Sequence, residues 1–197
     1  TASETAELDA RSGALKPYLS GPVGRYPPRR LPVGVHAMMN FQLNVSALVR
    51  RAEALFPDKP ITTRLHDGSL YKTTYGALIP RARQLSVALR ALGVRPGDKV
   101  GTLSWNTHLH LEAYLGIPGA GAVLHTLNVR LHPDELAYVI NHAEDRVLLV
   151  DSTLLPLLDQ VRSKICVRHI VVLDGECLDG QIPYQQLLAS ADPSRFV

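Results

Sequence analysis

Residues 100–131 read VGTLSWNTHLHLEAYLGIPGAGAVLHTLNVRL, a pattern that predicts a strand, a helix, a glycine-rich turn and a second strand. The apolar runs Val100–Trp105 and Ala122–Leu127 both have the length of a short buried strand. Asn106 or Thr107 can cap the helix between them. We expect that helix to end where the backbone passes close to a neighbour, at Gly116, Pro118, Gly119 and Gly121.

A strand–helix–strand unit of this kind requires a parallel sheet with a right-handed crossover. Ligands of such sheets bind at the carboxyl ends of the strands, which here are the polar segments Ser104–Asn106 and His125–Asn128. One interpretation makes these segments the wall of a substrate cleft; the other has them satisfy backbone groups of the loops. The candidate cleft residues are Asn106, His125, Thr126 and Asn128.

The rest of the chain continues the alternation of helices and strands. The predicted helices are 44–56, 75–92, 133–143, 153–165 and 183–189, and the predicted strands are 61–65, 70–73, 146–151 and 169–174. Asp67–Gly68 indicates a hairpin between the first two strands. Pro80 predicts that its helix either starts near Ile79 or is kinked. The fold class is therefore α/β, a parallel doubly wound sheet with flanking helices, preceded by a small β-hairpin.

Residues 1–40 have a different composition from the rest. They begin with a polar, alanine-rich stretch and continue with GPVGRYPPRRLPVGV at 21–35, which is dense in proline and glycine. Such a segment favours extended backbone over a packed element. We expect residues 1–40 to form an extended arm, flexible or lying on a surface, and residues 41–197 to form the α/β part.

The composition narrows the class of protein. The 197 residues are 46% hydrophobic and 20% charged, with a formal net charge of +3. The arginine pairs lie apart, without the interleaved aromatic residues typical of nucleic-acid binding, and we expect them on solvated helix faces, at Arg29–Arg30, Arg50–Arg51 and Arg81/Arg83. No apolar run approaches the ~20 residues of a membrane helix. The two cysteines, at 166 and 177, have no metal-like spacing and are expected to be reduced, as in a cytoplasmic protein.

The residues alone supply no catalytic set and no metal site. His108 and His110 are two positions apart on a predicted helix, so they face different sides and do not chelate one ion. The glycine run 116–121 closes a helix, whereas a dinucleotide-binding loop opens one, so we interpret these glycines as packing residues. Asp151 and Asp174 follow strands and are expected to cap the next turn rather than bind a ligand.

The order of several short motifs resembles the adenylate-forming enzymes, specifically the AMP-forming fatty acyl-CoA synthetases. The matching segments are MMNFQL at 38–43, LVRRA at 48–52, FPDK at 56–59, TYGAL at 74–78, AL at 88–89, LGVRPGDKV at 92–100, WN at 105–106, GAGAVLHTLN at 119–128, RL at 130–131, NHAED at 141–145 and LVD at 149–151. The form HTLN at 125–128 is most like members that act on medium- or long-chain fatty acids. The resemblance covers about residues 38–190.

This resemblance implies a reaction and its cofactors. An acid would be activated by ATP to an acyl-adenylate and then captured by coenzyme A as a thioester, with Mg²⁺ screening the phosphates. The partners of the full-length enzyme would be a fatty acid, ATP and CoA, and homodimer formation is left open.

The sequence also departs from the family. No position matches the Ser/Thr/Gly-rich phosphate loop, the adenine-binding segments, the ribose-binding aspartate or the catalytic lysine. We therefore expect an N-terminal fragment of an acid–thiol ligase, truncated before the ATP phosphate loop, inactive by itself and without tight binding of ATP, Mg²⁺ or CoA. The alternative is a non-catalytic module of the same fold that binds another subunit.

Overall fold

The computed structural model describes residues 44–196, and the predicted arm at 1–40 lies outside them. The elements in chain order are α1 (Val45–Leu55), β1 (Pro60–Arg64), β2 (Leu70–Thr74), α2 (Tyr75–Ala91), β3 (Lys99–Leu103), α3 (His108–Gly119), β4 (Val123–Thr126), α4 (Pro133–Ala143), β5 (Val147–Val150), α5 (Leu155–Asp159), β6 (His169–Val172), β7 (Gln181–Pro183) and α6 (Tyr184–Ala189). Single 3₁₀ turns cover Ser152–Leu154, Arg162–Lys164 and Pro193–Arg195.

Five strands form one parallel sheet in the order β4-β3-β5-β6-β7, and β1 pairs with β2 in a separate antiparallel hairpin. Side chains of β5 alternate between the two faces, as period 2 requires. Val147 and Leu149 pack under α2, α3 and α6, whereas Leu148 and Val150 pack under α4 and α5. This three-layer arrangement confirms the predicted doubly wound α/β fold.

Local sequence signals fix the starts of most helices. The side chains of Asn44, Thr74 and Thr107 each accept a bond from a backbone N–H of the first turn. His132 caps α4 in a reciprocal pair with Glu135, and Pro133 occupies the first helical position. α2 begins at Tyr75, as in the predicted range, so of the two alternatives for Pro80 a helix start near Ile79 is wrong. Pro80 lies inside this helix with its side chain exposed.

The glycines of α3 have the packing role that we predicted, but they lie inside the helix rather than at its end. A Cβ at Gly116 would lie 2.7 Å from the backbone oxygen of Ala82, and one at Gly119 would lie 2.6 Å from Ser86 Oγ. The Ser86 hydroxyl donates to the Gly116 carbonyl at 2.6 Å. α2 and α3 therefore approach so closely that only a hydrogen atom fits at these two positions.

Two predictions about these strands and helices are wrong, and one strand was not predicted. The single helix predicted at 153–165 is broken into α5 and two 3₁₀ turns, because Pro156 has no N–H to continue the ladder from the preceding turn. β4 is an edge strand rather than a buried one, and 49% of the Val123 surface is exposed. The three-residue strand β7 was not predicted, since it is too short to show an alternating pattern.

The arginines of α2 also differ from the expected solvated face. Arg81 Nε donates to the buried Glu112 of α3 at 2.6 Å, and Arg83 forms a bidentate pair with Glu53 of α1.

No helix between Asn44 and Phe196 is long and apolar enough to cross a membrane.

Candidate functional site

The strand order places a crevice between the carboxyl ends of β3 and β5. The chain runs from β3 outward to β4 and then returns to the other side of β3 to form β5. At such a reversal, the connecting helices leave toward opposite faces of the sheet, so the two strand ends are left uncovered. The crevice therefore lies beside Ser104–Asn106 and Asp151, the residues that follow these two strands.

The segment after β3 is fixed at the carbonyl oxygen of Trp105. This oxygen accepts from the Thr107 N–H at 2.8 Å, the Ser104 hydroxyl at 3.0 Å and Nδ1 of His110 at 3.1 Å. Since a carbonyl has two lone pairs, three donors within hydrogen-bond distance leave little freedom for this peptide. The backbone that carries Trp105 and Asn106 is held rigidly as a result.

His110 is 4% exposed and lies in the first turn of α3. Its Nε2 atom is 3.0 Å from the hydroxyl of Thr102, a fully buried residue of β3. Burial lowers the pKa of His110, although the Trp105 carbonyl and Asp151 oppose that effect. His110 is therefore a neutral, hydrogen-bonded core histidine at the base of the crevice.

A hydrogen-bonded chain joins the ends of β3, β5 and β6. The indole Nε1–H of Trp105 donates to the Thr153 hydroxyl at 2.9 Å, and that hydroxyl donates to Asp151 Oδ1 at 2.6 Å. Asp151 also accepts from the Thr153 N–H, and Asp174 accepts from the Ser152 N–H at 2.9 Å. Asp151 caps the turn that follows its own strand, as predicted, whereas Asp174 caps this same turn after β5 and not the turn that follows β6.

A cleft of about 330 Å³ with a mainly apolar wall opens beside these hydrogen-bonded residues. The β1–β2 hairpin forms one side and the first turn of α3 forms another. The lining residues are Arg64, Leu65, His66, Trp105, Asn106, Thr107, His108, Leu109, Asp151 and Asp174. His108 faces away from His110, as predicted, and stacks on Tyr71 with ring centroids 4.1 Å apart. Burial, and then the charge of Arg81, lower the pKa of His108.

The four residues predicted to line a cleft do not all meet. Asn106 lines the cleft. His125 instead places Nδ1 2.8 Å from the fully buried carboxylate of Asp145, and Asn128 accepts from the Arg130 N–H within its own loop. Thr126 is exposed at the end of the edge strand. Only Asn106 of the four belongs to the lining of this cleft.

Sequence reasoning missed Arg64, His66, His110 and Thr153 as parts of the site. The hairpin residues carry no local signal, because their position depends on how the hairpin packs against α3. Asp151-Ser152-Thr153 does carry a signal, since an aspartate followed by a hydroxyl residue is typical of a capped turn. That pattern indicates the turn but not the indole that Thr153 contacts.

The described residues do not fit a magnesium–nucleotide site by themselves. Within residues 44–196, no group of three or more His, Cys, Asp or Glu side chains could hold a metal ion. Asp151 and Asp174 already use carboxylate oxygens on the N–H groups of their turn.

Comparison with known proteins agrees with the motifs and the fold. The family model described as AMP-binding enzyme matches residues 49–194. A long-chain-fatty-acid–CoA ligase of Thermus thermophilus is 49% identical over 160 residues, which are 80% of this chain and 30% of that protein. A 3-methylmercaptopropionyl-CoA ligase of Ruegeria lacuscaerulensis is 40% identical over 162 residues, 79% of this chain and 30% of that protein.

A solved structure has the same architecture. The anthranilate–CoA ligase AuaEII, in complex with anthranoyl-AMP, superposes with a TM-score of 0.68 and 26% identity, over 77% of this chain and 29% of that one. The chain thus spans about 30% of the length of these relatives. Because the family model covers nearly all of the described α/β part, and the motif order and sheet topology agree with it, this chain belongs to the AMP-binding enzyme family.

Proposed function

We propose that this chain forms the N-terminal α/β part, residues 41–197, of an ATP-dependent, AMP-forming acyl-CoA ligase. The observation that carries the proposal is the 49% identity to a protein named as a long-chain-fatty-acid–CoA ligase. The carboxylate of a medium- or long-chain fatty acid would attack the α-phosphorus of ATP and expel pyrophosphate. The thiol of CoA would then attack the acyl carbon, lose its proton and expel AMP.

The proposed contribution of this chain is one wall of the substrate cleft. Trp105 and Asn106 present an indole face and an amide at the carboxyl end of β3, on a backbone that three donors hold in place. ATP, Mg²⁺ and CoA belong to the whole ligase in this proposal. The 197 residues alone bind none of them tightly and are inactive, which accords with their share of the relatives' length.

Fatty-acid-dependent exchange of pyrophosphate into ATP tests this function. The protein encoded by the whole reading frame should catalyse exchange with palmitate and octanoate, and less with 3-methylmercaptopropionate. The 197-residue chain, assayed at the same concentration, should catalyse none. Exchange by the short chain would contradict its proposed inactivity, and a lack of acid-dependent exchange by the whole protein would contradict the ligase assignment.

Asn106 and His125 provide a matched pair of variants for the site itself. Asn106→Ala should lower kcat/KM of the ligase and leave the free energy of unfolding within about 0.5 kcal/mol of wild type, because its side chain is exposed. His125→Ala should destabilise the protein, because it leaves the carboxylate of Asp145 buried without its partner. If His125→Ala instead lost activity at unchanged stability, His125 would belong to the substrate cleft after all. The same result for alanine variants of Thr126 and Asn128 would place those two residues there as well.

A second candidate function is a non-catalytic module that binds another subunit or a second copy. The observation in its favour is apolar surface at the margin of the fold. Val123 is exposed on the edge strand, and α1, which buries no residue, exposes Val45, Leu48 and Leu55, followed by the exposed Phe56. Concentration-dependent association in sedimentation velocity would support this function, including a homodimer, and a stable monomer at all concentrations would contradict it.

We also propose a cytoplasmic location, from the chemistry of the two cysteines. Cys166 is exposed and Cys177 is half-buried, and both are free thiols. Free exposed thiols persist in reducing compartments. Both should therefore react with a thiol-alkylating reagent in a native cell extract, whereas recovery of disulfide-linked protein would contradict this location.

A further inference from the structure

The buried imidazole of His110 has a defined hydrogen-bonding state. Its Nδ1 atom faces the carbonyl oxygen of Trp105, which only accepts, so Nδ1 must carry the proton. Nε2 then has a free lone pair and accepts from the Thr102 hydroxyl. The neutral Nδ1–H tautomer satisfies both contacts without another partner, in accord with a histidine whose pKa is lowered by burial.

The Trp105 carbonyl connects this buried group to the cleft. Its other two donors, Ser104 and Thr107, lie within two residues of it in the chain and belong to the same loop. His110 is the donor held from outside the loop, since its ring is anchored on β3 through Thr102. The same residue carries the indole, whose N–H reaches Thr153 on the far side of the crevice.

We propose that His110 is a positioning residue for the cleft: as the Nδ1–H donor to the Trp105 carbonyl, it orients the indole toward Thr153 and so shapes the wall beside Asn106. The backbone N–H of His110 also donates to Thr107 Oγ1 at 3.4 Å, but the ring bonds only to the Trp105 carbonyl and Thr102, so the effect of the imidazole on the cleft is indirect. The role in orienting Trp105 stands independently, whereas its consequence for substrate binding rests on the proposed ligase function.

Two substitutions separate the two ring nitrogens. The amide of asparagine can replace Nδ1, and that of glutamine can replace Nε2. His110→Asn should therefore keep the donor to Trp105 and lose the contact with Thr102, whereas His110→Gln should do the reverse. Both introduce an amide at the same buried position, so a general cost of altered packing appears in both.

Trp105 is the only tryptophan of the 197 residues, so its indole N–H gives one signal in a ¹⁵N-labelled sample. His110→Gln should shift this signal and make its exchange with solvent about 2- to 10-fold faster, the factor expected for loss of one hydrogen bond. Thr153→Val, which removes the acceptor, should do the same. His110→Asn should keep the signal close to that of wild type.

Equal perturbation of the indole by the asparagine and glutamine variants would overturn the positioning role, as would an unchanged signal in His110→Gln. If the glutamine variant does not fold, long-range ¹H–¹⁵N spectra of the wild-type imidazole decide the matter, because a proton on Nε2 would contradict the proposed donor.

In the whole ligase, His110→Gln and Thr153→Val should raise KM for the fatty acid more than they lower kcat. A changed indole signal without this kinetic effect would reject the consequence for substrate binding and leave the positioning role standing, whereas the ligase function itself fails only if the wild-type protein shows no acid-dependent exchange.

Discussion

At the scale of single residues, the most consequential polar group outside the cleft is the carboxylate of Glu112. It is 1% exposed and accepts from Arg81 Nε at 2.6 Å and from the Tyr184 hydroxyl at 2.8 Å. These three residues belong to α3, α2 and α6, so one buried carboxylate joins the three helices on one face of the sheet. A buried charge is tolerated when its oxygens are paired in this way.

Tyr184→Phe tests this network with little change in shape. Removal of the hydroxyl takes away a donor to a buried carboxylate, and we expect the free energy of unfolding to fall by about 1.5–3 kcal/mol, the range for a hydrogen bond to a charged group. Tyr138→Phe is the matched control: Tyr138 is 66% exposed, so its change should stay within about 0.5 kcal/mol. Urea unfolding followed by circular dichroism measures both, and equal values would argue against the network.

Glu112 should also make stability depend on pH. Burial raises the pKa of this carboxyl above 4.5, opposed by its bonds to Arg81 and Tyr184. The folded state then holds the proton more tightly than the unfolded state, so this contribution is complete below pH 4.5 and is lost as pH rises through the raised pKa. The free energy of unfolding of wild type, minus that of Glu112→Gln, should therefore decrease as the pH rises above 4.5. The raised pKa of Asp145 contributes equally to both proteins and cancels. A difference that increases with pH would contradict a raised pKa of Glu112.

At the scale of elements, the contact of α2 with α3 depends on Gly116 and Gly119. Gly116→Ala would push a methyl group against the Ala82 carbonyl, which is backbone and cannot rotate away. We expect a loss of about 1–3 kcal/mol, the usual cost of overpacking.

Gly119→Ala provides the comparison, because the added methyl group would meet the hydroxyl of Ser86, a side chain that can rotate. Its loss in free energy of unfolding should be smaller than that of Gly116→Ala. Thermal or urea unfolding of the two variants gives the order directly. The reverse order would mean that the helices separate more easily at Gly116 than their close approach implies.

At the scale of the whole molecule, the sheet has an exposed margin at β4. Strands at such edges pair with other chains unless charge or a covering element prevents it. Val123→Lys should therefore reduce any concentration-dependent association in sedimentation velocity and leave the circular dichroism spectrum unchanged. If association persists in this variant, the apolar side of α1 becomes the surface to vary next, with Leu48→Lys.

The packing of the whole molecule also explains which predictions from sequence succeeded. The hairpin and the helices α2 and α4 were predictable because capping, turn residues and hydrophobic period act over a few neighbouring residues. The single helix at 153–165 was not, because Pro156 interrupts the hydrogen-bond ladder at the start of α5 and the chain changes again to a 3₁₀ turn at Arg162–Lys164. Asn106 could be assigned to the cleft because the position of the carboxyl end of β3 can be predicted from the apolar run of that strand. His125 does not line the cleft, because its ring pairs with Asp145, a residue 20 positions away.

The sequence by itself determined the family, the order of the elements and the polar residues at the strand ends, since all of these depend on neighbouring residues. Only the tertiary structure decided which of those residues meet. Trp105 reaches Thr153 across 48 positions, and Tyr184 reaches Glu112 across 72. Such pairs depend on which faces of the helices and strands pack together, and a local pattern shows that a face is apolar without showing which other face will cover it.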